Sequence, residues 1–148
     1  MHIEKATSGD IPALSELLSL LFSQEAEFIP NPEAQSRGLA QIVNNPEAGA
    51  VLLAREGAEV LGMVSLLFTV STALGERVAL LEDMVVFSQG RGAGIGTQLL
   101  AQAISFARAQ GCKRITLLTD RSNEAAQRFY GKQGFVVSSM LPMRLTLA

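Results

Sequence analysis

Cysteine and histidine are almost absent from this chain, and their scarcity excludes several kinds of active site. Cys112 and His2 are the single cysteine and the single histidine among 148 residues. One cysteine excludes an internal disulfide framework and a cysteine-based zinc cluster. One histidine near the N-terminus leaves neither a Ser/His/Asp triad nor a multi-histidine metal centre. We therefore expect no metal site and no hydrolase chemistry of the usual kinds, with Cys112 as a small residue at a turn.

Runs of basic residues and long apolar segments are also missing. The formal net charge is −2, whereas binding to a nucleic-acid backbone needs clustered cations. The N-terminal residues MHIEKATSGD lack a basic-then-apolar signal pattern, and no apolar run reaches the roughly 20 residues needed to cross a bilayer. We therefore expect a cytoplasmic, soluble protein with no nucleic-acid or membrane partner. The length favours a single domain over residues 1–148.

The apolar patterning predicts a mixed α/β (α+β) fold. A first strand at IEKAT precedes two helices, over DIPALSELLSLLF and NPEAQSRGLAQIVNN, with Asp10 and Asn31 suited to their N-caps. Three apolar runs, broken by the turns EGAE and TALGE, then predict an antiparallel meander.

The second half of the chain continues this alternation. It predicts a helix from about Gly94 to Gln110, ended by Gly111, and then a buried strand at RITLLT. A short helix stopped by Gly134 and two closing strands, FVVSS and MRLTL, complete the order βααβββαβαββ. The expected architecture is a mostly antiparallel mixed sheet flanked by helices.

Four glycines, at positions 90, 92, 94 and 96, lie between the last meander strand and the next helix. Glycine costs roughly 0.5–1 kcal/mol relative to alanine in regular structure, so its repetition needs a reason. One reason is a tight turn with positive φ; the other is a bare helix N-terminus that binds a phosphate. The spacing is neither that of a P-loop, since no Gly-Lys follows, nor that of a dinucleotide-binding G-x-G-x-x-G motif.

The pattern Arg91-x-x-Gly94-x-Gly96 between a strand and a long helix resembles the acetyl-CoA loop of the GNAT superfamily of N-acetyltransferases. The resemblance runs from Leu80 to Phe135 and includes a later N…FY…GF signature. It implies transfer of the acetyl group of acetyl-CoA to a small-molecule or peptide amine, by direct attack in a ternary complex and without a metal. Two alternatives stay open, a non-catalytic acyl-CoA sensor with the same fold and a non-CoA nucleotide binder. Since members of this superfamily often dimerise, a homodimer is also possible.

The resemblance also assigns residues to the cofactor. It implies that Met84, Val85 and Val86 pair with the pantetheine arm like an added strand. Asn123 matches a position that hydrogen-bonds the same arm, although asparagine is also a good helix N-cap. The residues implied at the pyrophosphate are Arg91, Gly92, Ala93, Gly94, Ile95, Gly96 and Thr97.

Two residues are the predicted catalytic groups. Tyr130 matches the tyrosine of this superfamily that faces the thiol. An amine with a pKa near 10.4 must lose a proton before it attacks. Glu82, on the face of Met84 by the period of two, is the candidate base, and a solvated carboxylate at the rim of the sheet is the alternative for the same residue. Glu25 and Glu27 lie where the superfamily shapes its acceptor pocket. Leu118 stands where the enzymes that acetylate ribosomal-protein N-termini carry a glutamate base, which disfavours that assignment here.

Overall fold

The computed structural model describes residues 1–25, 28–87 and 94–148, which form two compact units, Met1–Leu118 and Thr119–Ala148. The first unit begins with β1 (His2–Lys5) and a short 3₁₀ turn, and continues with the helices α1 (Ile11–Ser23) and α2 (Pro32–Val43). It then contains β2 (Gly49–Glu56), β3 (Glu59–Ser71), β4 (Glu76–Val86), α3 (Ile95–Ala109) and β5 (Ile115–Leu117). The second unit contains α4 (Glu124–Gly131).

The start of α2 is held by the residue that the sequence indicates. Oδ1 of Asn31 accepts a hydrogen bond from the backbone N–H of Ala34 at 3.2 Å, which satisfies an amide that the helix itself leaves without a partner. Gln35 in turn joins α2 to α1, since its Nε2 donates to the carbonyl oxygen of Ser15 at 3.0 Å and to Oγ of Ser19 at 3.0 Å. The predicted N-cap of α2 is therefore confirmed.

Asp10 occupies the N-cap position of α1 but uses its side chain differently. Oδ2 of Asp10 accepts from the backbone N–H of Thr7 at 2.9 Å, and Oδ1 accepts from Nη2 of Arg55 at 2.6 Å. Arg55 also donates to Oε1 of Glu4 at 2.8 Å. The carboxylate of Asp10 therefore links the start of α1 to the edge of the sheet through Arg55.

The described strands form one sheet in the order β1-β2-β3-β4-β5. The first four strands pair antiparallel with their sequence neighbours, and for β2, β3 and β4 the short turns between them predict this pairing. β5 pairs with β4 in parallel, and α3 makes the crossover between them. The mixed, mostly antiparallel architecture expected from the sequence is thus confirmed.

Helices cover both faces of this sheet. On one face, Met63 and Val85 pack in a core cluster with Leu14 and Leu17 of α1. The alternate residues of the same strands face α3, where a Cβ placed on Gly62 would lie 3.0 Å from Cδ1 of Leu99. The C-terminal half of β4 therefore runs between α1 on one side and α3 on the other.

The prediction of two closing strands is wrong for the described structure, because residues 135–148 contain no strand. Val137, Met143 and Leu147 are each more than 80% exposed. Alternation in MRLTL shows that one side of the segment is apolar, but a strand also needs a neighbouring backbone to bond with. α4 ends at Gly131, whereas the sequence predicted a helix that Gly134 would stop.

Candidate active site

β4 extends well beyond the strand that covers its outer edge. The β4–β5 ladder runs only from Ala79 to Leu81, whereas β3 continues to pair with β4 as far as Val86. From Asp83 to Val85, β4 has a β3 partner but no β5 partner among the described residues. An exposed strand edge of this kind can accept an extended ligand through main-chain hydrogen bonds.

The helix that follows β4 begins with an open N-terminal turn. Gly94 has φ +79°, a left-handed conformation that favours glycine, and its carbonyl oxygen accepts the first helical bond from the N–H of Gln98 at 3.0 Å. Ile95 is buried and anchors the helix, while Gly94 and Thr97 are exposed. The first turn of α3 contains no acidic side chain. The N–H groups of this turn therefore form the positive end of the helix dipole, with no acidic side chain in the turn to offset it.

A β-bulge interrupts the β3–β4 ladder beside the open edge. Ser65 pairs with Asp83 and Leu66 pairs with Leu81, so Glu82 is an extra residue on β4 with no partner of its own in the ladder. Such a bulge shifts the side chains on either side of it to opposite faces of the sheet. The simple period of two that assigned Glu82 to a face does not hold at this position. Glu82 itself is exposed.

Asp83 is held by two hydrogen bonds to one buried hydroxyl. Oγ of Ser65 donates to Oδ2 of Asp83 at 3.1 Å and accepts from the backbone N–H of Asp83 at 3.1 Å. Ser65 is completely buried, and Asp83 is partly buried on the same face as Met63 and Val85. The carboxylate therefore stands in a defined orientation at the α1 face of the sheet.

The environment of Asp83 makes its carboxyl group unusually basic. Burial raises the pKa from 3.8 to about 6, and the negative charges of Glu82 and Glu25 add to this increase, while the hydrogen bond from Ser65 opposes it. Perturbed carboxyl groups of this kind are common at active sites. Sequence reasoning missed Asp83, although two signals were present: an acidic pair inside the apolar strand LLEDMVV and a lone serine inside MVSLLF.

Comparison with known protein families decides what this chain is. The Acetyltransferase (GNAT) family matches residues 12–135. The chain belongs to the GNAT acetyltransferase family.

Two GNAT relatives match over most of their length. The uncharacterized N-acetyltransferase YhfO of Bacillus subtilis (strain 168) is 29% identical over 137 residues, which cover 91% of this chain and 89% of YhfO. The aminoalkylphosphonate N-acetyltransferase of Salmonella typhimurium (strain LT2) is 30% identical over 134 residues, or 90% of this chain and 84% of that protein. A solved structure of a probable acetyltransferase aligns with a TM-score of 0.85 and 25% identity, covering 100% of this chain and 99% of the other. These likenesses support acyltransferase activity at the level of the GNAT family.

The structure describes some of the residues that the GNAT resemblance assigned to the cofactor, and others lie outside the described residues. Met84, Val85 and Val86 lie on the C-terminal end of β4, and Gly94, Ile95, Gly96 and Thr97 form the start of α3. Val85 is also part of the core cluster, so it packs against α1 whatever it binds. Arg91, Gly92 and Ala93 lie outside the described residues, as does Glu27.

Tyr130 and Asn123 both belong to the C-terminal unit. The ring of Tyr130 makes edge-to-face contacts with Phe129 and Phe135, at centroid distances of 5.2 and 5.7 Å. Burial raises the pKa of the Tyr130 hydroxyl, which keeps the proton on the oxygen at neutral pH. Oδ1 of Asn123 accepts from the N–H of Ala126 at 3.0 Å, so the N-cap function of Asn123 is confirmed. Its contact with a cofactor stays a prediction.

Three further observations concern groups outside this arrangement. Cys112 is buried just after α3, and burial raises the pKa of its thiol, which agrees with a structural residue rather than a nucleophile. Leu118 follows β5 and is 68% exposed. Within residues 1–25, 28–87 and 94–148, no group of three or more His, Cys, Asp or Glu residues is arranged to hold a metal ion, and no helix is long and apolar enough to cross a membrane.

Proposed function

We propose that this GNAT chain transfers the acetyl group of acetyl-CoA to the nitrogen of a primary amine, with both substrates bound together. The observation that carries the proposal is that the open edge of β4 and the start of α3 belong to consecutive elements of one unit, separated by residues 87–94. The pantetheine arm of acetyl-CoA is an extended chain with amide groups, and its pyrophosphate is an anion. A strand edge and a helix N-terminus are the backbone features that bind these two parts.

The residues present fit such a donor. Met84, Val85 and Val86 would lie along the arm, and the N–H groups of Ile95, Gly96 and Thr97 would face the phosphates together with Arg91, Gly92 and Ala93. Among the described residues, the nearest atom to a Cβ on Gly94 would be Nε2 of Gln98 at 3.9 Å, so these residues leave room for a ligand beside this backbone. Asn123 would add a hydrogen bond to the arm, beyond its bond to Ala126.

Bound acetyl-CoA supplies an activated acyl carbonyl with a thiolate as leaving group. The ammonium form of the acceptor loses one proton, its nitrogen forms a bond to the carbonyl carbon, and the C–S bond breaks with the electron pair remaining on sulfur. Tyr130, whose hydroxyl is protonated at neutral pH, would give its proton to that sulfur. The nitrogen loses a second proton as it becomes the neutral amide, and this proton restores the Tyr130 hydroxyl. One proton is therefore released to solvent for each ammonium ion acetylated.

The charge at the site favours a cationic acceptor. Glu25 and Glu82 both act on the carboxyl group of Asp83 through space, so three acidic side chains share this end of the sheet. A protonated amine is attracted to such a cluster and a neutral molecule is not. The relative whose name gives aminoalkylphosphonates as its acceptors supports a small amine as the first class to test.

A panel of amines tests the proposal. The purified chain would be incubated with acetyl-CoA and, in turn, an aminoalkylphosphonate, a linear polyamine, an amino acid, an aminoglycoside and a lysine peptide. The readouts are release of the CoA thiol and a product heavier by one acetyl group. We expect turnover with at least one of these amines. Tight binding of acetyl-CoA without turnover of any of them would instead support the acyl-CoA sensor, and thermal stabilisation by ATP or NAD but not by CoA would support a nucleotide binder.

A further inference from the structure

We propose that Asp83, positioned by Ser65 at the bulge of β4, is the catalytic base that takes the proton from the acceptor amine. This inference rests on the proposed acetyl transfer and replaces Glu82 in the role that the sequence assigned to it. The hydroxyl of Ser65 hydrogen-bonds the carboxylate and the backbone N–H of Asp83 and touches no reacting atom in this assignment, so Ser65 is a positioning residue.

The position of Asp83 suits an encounter between acceptor and donor. It is the first residue of β4 after the bulge, where β4 has no β5 partner among the described residues, and it directly precedes Met84, the first residue assigned to the pantetheine arm. It faces the side of the sheet on which α1 packs, and Glu25, just beyond the end of α1, is near enough to influence its charge. An amine that entered past the α1–α2 connection would reach this carboxylate beside the donor strand.

The hydrogen bonds leave one carboxylate oxygen for the substrate. Ser65 donates to Oδ2, and its own oxygen is occupied by the backbone N–H of Asp83, so the hydroxyl has one orientation. No other described side chain or backbone group donates a hydrogen bond to Oδ1 of Asp83. Because no fully buried side-chain nitrogen or oxygen in the described residues lacks a hydrogen bond, an Oδ1 without a donor among them is at least partly exposed.

The charged groups around Asp83 give it the basicity that the step requires. Burial, Glu82 on β4 and Glu25 after α1 raise its pKa to about 6, against the opposing hydrogen bond from Ser65. A base is most efficient when its pKa lies near the pH at which it works, since it is then both deprotonated and basic. Glu82 is exposed at the bulge and has no hydrogen bond from a described residue that would orient it.

The step balances in protons and electrons. The Oδ1 lone pair of Asp83 takes a proton from the ammonium group, which frees the nitrogen lone pair to form the C–N bond. The C–S pair leaves with the CoA sulfur, which is protonated separately. The nitrogen loses its second proton as the neutral amide forms, and this proton replaces the one given to the sulfur. Asp83 then returns its proton to solvent before the next cycle, so the enzyme is unchanged.

Four variants and a pH series test the assignment, with the best amine of the panel as acceptor. Asp83→Asn should lower kcat/KM by about 10²–10⁴-fold, leave acetyl-CoA affinity within a few-fold, and remove the acidic limb of the pH profile. Ser65→Ala should keep turnover but move that limb to higher pH, because the lost hydrogen bond had lowered the pKa. Glu82→Gln should move it to lower pH, because a neighbouring negative charge is removed. Glu59→Gln, an exposed carboxylate in the β2–β3 hairpin, is the matched control and should move nothing.

The outcomes separate this inference from the proposed function. If the wild-type chain acetylates an amine and Asp83→Asn keeps its rate and its acidic limb, Asp83 is not the base, and loss of the limb in Glu82→Gln would return the role to Glu82. If the wild type acetylates none of the amines, the proposed function and this inference both fail. A carboxyl titration followed by infrared difference spectroscopy, wild type minus Asp83→Asn, should show a midpoint near 6 without any turnover. A midpoint near 4, the ordinary value for aspartate, would overturn the basis of the assignment.

Discussion

The hydroxyl of Ser65 on β3 both donates to and accepts from Asp83 on β4, with each distance 3.1 Å, across the bulge created by Glu82. This pair places a carboxyl group in a partly apolar environment between strands that otherwise bury Met63 and Val85. A carboxylate at position 83 lowers the stability of the fold. If this position served packing alone, an apolar residue would stabilise the fold more. The pair therefore indicates a functional site, and its cost can be measured.

Asp83→Asn should stabilise the fold, and the gain should depend on pH. The carboxyl group titrates near 3.8 when unfolded and near 6 when folded, so the wild type loses stability as pH rises through this window. The difference in unfolding free energy between variant and wild type should grow from pH 4 to about 7 and then level off at about 1–3 kcal/mol. Urea unfolding across this pH range measures it. A variant that is less stable than wild type at pH 8 would show that the carboxylate stabilises the fold instead.

Gly94→Val should abolish CoA binding while the chain still folds. Valine is strained at φ +79°, and its branched side chain would occupy the open space in front of the first turn of α3. Gly57→Val is a matched control, because Gly57 also has positive φ, +58°, with open space around it, but lies in the β2–β3 turn. Both variants should lose about 1–3 kcal/mol of stability. Calorimetric titration with CoA should show a loss of at least about tenfold in affinity only for Gly94→Val; equal affinities would exclude α3 from the phosphate site.

Tyr130→Phe should slow the reaction with little effect on folding or on acetyl-CoA affinity. The ring contacts with Phe129 and Phe135 survive the loss of one oxygen. Protonation of the leaving sulfur matters mainly in the transition state, so kcat and kcat/KM should fall together by roughly 10–10³-fold. The defect should shrink with acetyl donors that have better thiol leaving groups. Phe135→Leu, which disturbs the ring cluster and keeps the hydroxyl, should not show this dependence on the leaving group.

Two glycine-to-alanine changes should have opposite effects on stability. A Cβ on Gly49 would collide with the carbonyl oxygen of Leu66, so Gly49→Ala forces β2 and β3 apart and should destabilise the fold by about 1–3 kcal/mol. Gly38 lies inside α2 with nothing within 4 Å of an added Cβ. Gly38→Ala should therefore stabilise the fold by about 0.5–1 kcal/mol. Thermal unfolding of the two variants side by side checks both signs.

Features that depend on a few adjacent residues were predictable from the sequence. Asn31 caps α2 through the N–H of a residue three positions later. Gly111 adopts φ +85° directly after α3. The meander follows from apolar runs separated by short turns. The GNAT resemblance came from the glycine spacing together with the later N…FY…GF signature, each a local pattern of residues. Each of these features is set by backbone sterics and hydrogen bonds over a short stretch of chain, which the order of residues specifies directly.

The tertiary structure alone decided which carboxylate is buried beside Ser65 and where the sheet ends. Asp83 lies opposite Ser65 because the β3–β4 register shifts by one residue at Glu82, and that register depends on two strands packing together between α1 and α3. The pKa of Asp83 depends likewise on burial and on Glu25, 58 positions away by residue number. The segment MRLTL also shows that tertiary structure decides where a strand forms. Its residues alternate as in a strand, but it forms no strand in the described structure, because a strand needs a second backbone to hydrogen-bond with.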